Sequence, residues 1–293
     1  METHSLKLPT TYDEQIEKLR QRGCLIEEET FCLDCLKRVN YYRLSAYFLP
    51  FKRDNDCYVK GTSFRRVFDI YEFDRKMRSV LFLALEEVEI NLRARLAYLH
   101  AFKYGNDGYM QSSNYDDTKH DHEKFIQDFQ REVAHSRSSS LVVQRHDQKY
   151  GSQFPIWVAV EFFTFGMLSR FFSDLPLSFR IKAAHEIFDE SPGEIQSWLR
   201  CCTTLRNVCA HNGRLYYRLF SVPKSIEPPK SEDKYIARRL FSQIFALRNL
   251  YPDDNKWNNE VVNPIAALIS QYGQSLELWH IGFPADWETR MRR

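Results

Sequence analysis

The sequence predicts an all-α fold, and three observations predict it. Gly and Pro are scarce, 10 and 11 of 293 residues, against 22 Phe and 16 Tyr, so tight turns are few and long packed elements many. Apolar residues recur near the 3.6-residue period through the whole stretch from about Phe64 to Phe102. Helix start and stop signals punctuate the rest of the chain.

Taken in order, Thr11 followed by Glu14 has the spacing of a capping box, and Ile16 and Leu19 continue an apolar face up to Gly23. A second short helix fits Glu29 to Val39. From Phe64 to Phe102, residues Val67, Tyr71, Met77, Leu81, Leu85, Val88, Leu92, Leu96 and Leu99 line one face. Glu72 with Lys76 and Glu89 with Arg93 form i,i+4 pairs expected on the other. This is one long helix or two nearly collinear ones. The run GNDGYMQSSNYDD at 105–117 reads as a loop. A polar helix is expected from about His120 to Ser136, interrupted by the serines of 136–140, and PIWVAVEFFTFGMLSRFF at 155–172 is apolar enough to be core. Helices then fit Pro176 to Phe188 and Glu194 to Ala210, the second started by Ser191, Pro192 and Gly193. Pro223, Pro228 and Pro229 mark a linker, and Asp233 to Leu250 and Val261 to Tyr272 give two more helices. The chain thus divides into an N-terminal helical segment (1–60), a helical core (61–220), and a linker with C-terminal helices (221–293).

Composition narrows the function. Hydrophobic residues at 43% and charged residues at 27% are globular usage, not disorder. A formal net charge of +2 exerts no bulk pull on a polyanion, so a nucleic-acid site must be a local concentration of Arg and Lys. The start carries no signal-type apolar stretch and no run reaches membrane-span length, so a cytoplasmic location is expected. Seven Cys, an odd number, point to reduced thiols. Cys24, Cys32, Cys35 and Cys57 could number four zinc ligands, but only Cys32 and Cys35 are close, inside a helical segment, so no metal or other cofactor is expected. Cys201, Cys202 and Cys209 read as small buried apolar residues. Glu86 and Glu87 adjoin on a helix and face different ways, and no Gly-rich phosphate loop, G-x-S-x-G elbow or His-Glu metal motif is present.

What remains is a pattern of Arg and His five positions apart, found at Arg95/His100, Arg180/His185 and Arg206/His211. Roughly one such pair is expected by chance, so the bare pattern says little. Five residues turn about 140° on an α-helix, which separates the two side chains but lets both reach one phosphate lying across a helix end. Only the third pair has a polar residue beside the Arg, Asn207, four positions before His211 and on its face. It also runs into Asn212-Gly213, a helix stop that leaves His211 in an exposed final turn.

RNVCAHNGRLYYR at 206–218, with NYYRLSAYFLPF at 40–51, FDRKMRSVLFLALEEVEINLRARL at 73–96 and PIWVAVEFFTFGMLSRFF at 155–172, resembles the bacterial Abi-like family of abortive-infection proteins, the AbiD and AbiF group. The resemblance covers roughly residues 6–250. That family is similar to the HEPN superfamily of α-helical ribonucleases, whose site is R-x-x-x-x-H with a polar residue after the Arg. The resemblance therefore implies a HEPN-like helical bundle with additional N- and C-terminal helices, and a metal-independent endoribonuclease acting as an antiphage or toxin-type effector. Relatives often carry a second His directly after the motif; this chain has Asn212.

In that reading His211 moves protons, Arg206 stabilises the phosphorane charge and Asn207 positions His211 or the phosphate, giving a 2′,3′-cyclic phosphate and a 5′-hydroxyl. Arg43, Arg93, Arg95, Asn212 and Arg214 are the candidate RNA contacts. RNA is the expected partner, as substrate and as a restraining non-coding RNA, and one motif per chain suggests a homodimer with a shared cleft. The alternative is a non-catalytic RNA-binding or interaction module that keeps the fold. Lys37, Arg38 and Arg43 beside Tyr41 and Tyr42 fit a solvated face with core aromatics better than an RNA grip.

Overall fold

Local capping sets where the N-terminal helices begin. In the computed structural model, which describes residues 8–226 and 236–293, the Thr11 hydroxyl accepts from the Glu14 amide at 3.2 Å while the Glu14 carboxylate accepts from the Thr11 amide at 2.7 Å. The capping box therefore opens α1 (Tyr12–Gln21), which buries Ile16 and Leu19. Helix α2 (Glu29–Arg38) buries Cys32, Cys35 and Leu36. The short α3 (Tyr41–Ser45) starts at Asn40, whose side chain accepts from the Tyr42 amide.

Next comes α4 (Phe64–Tyr104), 41 residues without a break. No Gly or Pro interrupts it, Ser63 caps its start, and Gly105 ends it at φ 83°. At 1.5 Å per residue it is about 60 Å long. Its charged pairs depart from the periodic reading: Glu72 pairs with Arg75 at 2.8 Å, and the Glu89–Arg93 pair, expected on the solvent side, has Glu89 only 8% exposed. With helices packed on several sides, α4 has no single dry stripe.

The loop at 105–117 contains two 3-10 turns and is tied inward by the Tyr109 hydroxyl, which donates to the Phe154 carbonyl at 2.7 Å. Helices α5 (His122–Ser136) and α6 (Leu141–Tyr150) follow, capped by Asp121 and Ser140, with the serine run between them as expected. The apolar 155–172 stretch divides into α7 (Ile156–Ala159), a 3-10 turn, and α8 (Phe165–Asp174) capped by Thr164; most of it is core, but Trp157 is 56% exposed. Then come α9 (Leu177–Phe188) and α10 (Pro192–Ala210), the latter with Ser191 as cap and Pro192 in the first turn.

Of the expected linker, Pro228 and Pro229 lie outside the described residues, as does the Asp233 start of the next helix. A 3-10 turn at Ile236–Arg238 and an extended Arg239 precede α11 (Leu240–Leu250). The helix expected from Val261 starts earlier: α12 (Asp254–Lys256) runs through a π turn at Trp257–Val262 into α13 (Asn263–Tyr272). Pro264, which has no N–H to give a carbonyl one turn back, accounts for the altered ladder. Helix α14 (Trp287–Met291) closes the described chain.

The fold is all-α; among the described residues there is no strand, only isolated bridges at Leu25–Ser63 and Lys52–Tyr58. Helices α7, α8, α9, α10, α11 and α13 all pack on α4, and buried side chains from Ile16 to Met291 form one connected core. Among the described residues no helix is long and apolar enough to cross a membrane.

Candidate active site

The last turns of α10 sort by burial. Cys202, Leu205 and Cys209 are buried, whereas Asn207 and His211 are exposed and Arg206 is partly so. The helix stops in a Schellman arrangement: the Asn212 amide donates to the Cys209 carbonyl at 3.1 Å and the Gly213 amide to the Val208 carbonyl at 2.7 Å. Asn212 takes the left-handed position at φ 53°, one that Asn tolerates better than most residues. Gly213 is needed next because a Cβ there would stand 3.1 Å from the Val208 carbonyl oxygen.

Beyond the stop, the chain is held by two charged residues of α4. The Asp74 carboxylate, 1% exposed, accepts from the Leu215 and Tyr216 amides at 3.1 and 2.7 Å, the Tyr47 hydroxyl at 2.7 Å and Arg78 Nη1 at 2.6 Å. Burial pushes its pKa up, opposed by Arg78, the Tyr47 hydroxyl and the two amides. Arg78 Nη1 also donates to the Gly213 carbonyl at 3.2 Å. From the far side, the Tyr216 hydroxyl accepts from the Glu277 amide at 3.0 Å and lies 2.9 Å from His280 Nδ1.

Arg43 donates to the Asn212 carbonyl, and Arg214 donates to the Ala46 carbonyl, lacing α3 to the turn. Burial lowers the Arg214 pKa from its ordinary value. Three of the five candidate RNA contacts, Arg43, Asn212 and Arg214, thus gather at the motif, with both guanidiniums engaged by main chain.

Arg206 Nη1 lies 3.4 Å from Asn207 Oδ1, and its Nε lies 3.9 Å from Glu89 Oε2. Burial raises the Glu89 pKa, opposed by Arg93 and Arg206. Arg93 pairs with Glu89 at 2.5 Å and donates to the Phe163 carbonyl at 2.9 Å, so it serves the packing beneath Arg206 and presents little to a ligand. Arg95 turns to α9, donating to the Glu186 carbonyl at 2.5 Å. No side chain among the described residues pairs with the His211 imidazole.

The other two pairs are divided by burial. His100 is fully buried among Tyr104, Phe171 and Phe179, and burial lowers its pKa to about 4, while Arg95 is exposed. Arg180 is buried, donating to the Leu175 carbonyl, while His185 is exposed. Only Arg206 and His211 both face solvent, with Asn207 between them. Cys24, Cys32 and Cys35 are buried free thiols, the first two raised to about 12 by burial, and among the described residues no three His, Cys, Asp or Glu side chains converge on a metal position.

Sequence reasoning missed Asp74, Arg78 and Glu89. A signal existed: Asp74 and Arg78 fall on the same three-and-four spacing as Val67, Tyr71, Leu81 and Leu85, where charge is out of place.

Fold and site together define an all-α protein with an exposed Arg-Asn-His set on a braced helix end. A family model described as Abi-like protein matches residues 34–217, more than half of the chain, and the chain belongs to that family. The matched segment starts within α2 and ends at Tyr217, so it takes in the motif, Glu89 and the Asp74–Arg78 brace. A search of curated proteins and a search of solved structures each find no match.

Proposed function

We propose that the protein is a metal-independent endoribonuclease of the HEPN type, acting in abortive-infection defence. The observation that carries this reading is the accessibility of Arg206, Asn207 and His211 together on a rigid helix end, where the other two Arg/His pairs are each half buried. His211 takes the proton of an RNA 2′-hydroxyl as that oxygen attacks the neighbouring phosphorus. Arg206 faces the charge growing on the phosphorane oxygens, and Asn207 holds the space between them. The bond to the 5′ oxygen breaks, that oxygen takes a proton, and a 2′,3′-cyclic phosphate and a 5′-hydroxyl result. With one motif per chain, a homodimer that faces two α10 ends across one cleft supplies acid and base from separate copies. A bound non-coding RNA is the expected restraint.

The test replaces Arg206 by Lys, which keeps the charge but loses the planar fork, and His211 by Ala. Each should lower cleavage by about a hundred-fold or more with melting temperature and RNA affinity unchanged. Cleavage at the wild-type rate in both, with melting unchanged, removes the proposal. Asn212, in place of the second His common in relatives, favours one other reading, an RNA-binding module on the same fold; that module binds RNA and cuts none.

A further inference from the structure

Away from the α10 end, helices α5, α6 and α7 and the segment 106–110 enclose an open cleft of about 1060 Å³, comparable with the largest of the ~300–1,000 Å³ pockets that hold small ligands. Its lining is rich in aromatic rings. His146 stacks on Phe154 with centroids 5.1 Å apart and lies 5.0 Å from Tyr150. Trp157, Tyr150 and Met110 line the same concavity yet remain 56%, 46% and 42% exposed. Large apolar groups left in water on a concave surface mark a site for a flat apolar ligand.

The charges on the rim say what else that ligand carries. Arg145 is exposed and has no acidic partner among the described residues. The nearby acid on its own helix, Asp147, is committed to Arg137 at 3.1 Å and to the Ser152 hydroxyl at 2.6 Å. Asp107 also lines the cleft, and no cation among the described residues pairs with it. A flat ring, an anion and an edge of N–H donors are thus wanted together.

We infer that this cleft binds a nucleotide, with its base stacked on Trp157, its phosphate on Arg145, and the N–H donors of its base edge on Asp107. Guanine, whose Watson–Crick edge offers two adjacent donors to one carboxylate, is preferred over adenine and uracil. The same chemistry is presented by a free nucleotide and by an unpaired nucleotide in an RNA strand. The inference does not rest on the ribonuclease reading, because the cleft is built from other elements and its test involves no cleavage.

Calorimetric titration of the full chain with GMP, AMP and UMP, and with 2′-O-methyl pentanucleotides that lack a free 2′-hydroxyl, tests it. Guanine probes should bind tightest, Trp157→Ala and Arg145→Glu should each weaken binding about ten-fold or more, and Trp157→Tyr should restore most of the loss. Melting temperatures should hold, since both side chains are exposed. Binding of GMP as tight as that of the pentanucleotide assigns a free nucleotide, and binding of the pentanucleotide alone assigns a strand; either supports the site. No binding of any probe at millimolar concentration overturns it, as does binding that both variants leave unchanged. A dimer that Trp157→Ala dissociates, with no nucleotide bound, gives the cleft to a second copy and also overturns it.

Discussion

His100 shows how burial alone can turn a catalytic residue type into ballast. Both ring nitrogens lie inside without a hydrogen-bond partner among the described residues, and the imidazole stays neutral down to about pH 4, whereas in the unfolded chain it takes a proton near 6.5. As pH falls through that window the unfolded state binds the proton first, so stability is whole above about 6.5 and drops by roughly 1 kcal/mol per pH unit toward 4. Melting temperature followed from pH 7 to 5 should show this loss, and His100→Leu should flatten it while costing little at pH 7, because two unsatisfied nitrogens leave the core. Glu89 makes the opposite point, a buried carboxylate kept for its neighbours. It lies 3.9 Å from Arg206, so Glu89→Gln should let that guanidinium drift, lowering kcat about ten-fold with KM nearly unchanged. Steady-state kinetics on a short RNA reads this directly; a KM effect alone would assign Glu89 to binding.

Among elements, those legible in the sequence were the ones written in local chemistry. Capping pairs, serine runs and the unbroken period of α4 needed no tertiary information, and the α10 stop at Asn212-Gly213 was visible as two residues suited to a left-handed turn. Illegible were the places where distant segments override local pattern. The Asp74–Arg78 pair stands out only as charge on an apolar face, and what it holds is plain only once the 213–216 segment is laid over it; Glu89–Arg93 becomes interior where the chain at Phe163 covers it. Arg206, Asn207 and His211 were readable from spacing and resemblance, but their exposure, and the engagement of Arg43 and Arg214 by main chain, were not. The brace gives a sharp expectation. Asp74→Asn strands Arg78, 4% exposed, without its counter-charge, and should cost about 3–5 kcal/mol. Asn212→Ala should cost only about 1 kcal/mol, because Ala lacks the short polar side chain that lets Asn sit at φ 53°, and Asn212→Gly nothing. Urea unfolding of the three variants ranks them, and an Asp74→Asn protein as stable as wild type would mean the carboxylate is not what holds the turn.

At the scale of the molecule, the proposed chemistry draws on one Arg and one His per chain and no metal ligand set. Cleavage should therefore survive excess EDTA; full loss on RNA that stays bound, restored by Mg²⁺, would replace the acid-base mechanism with a metal-dependent one. Mixed Arg206→Ala and His211→Ala protomers, inactive apart, should recover part of the activity if two copies share a cleft. Light scattering under assay conditions should then show a dimer, and a fully active monomer would dispose of the shared site.

The brace also orders events in time. Asp74 and Tyr216 are 142 positions apart in the chain, and Tyr216 is in turn pinned by Glu277 and His280. A ribosome has long since released α4 when the motif itself is made, and the turn after His211 cannot be locked on both sides until the segment around 280 has emerged. An emerging chain therefore carries the Arg and the His without the framework that aims them. The proposed nuclease, built this way, stays blunt beside the ribosome and the message that encode it until the segment around 280 has been made.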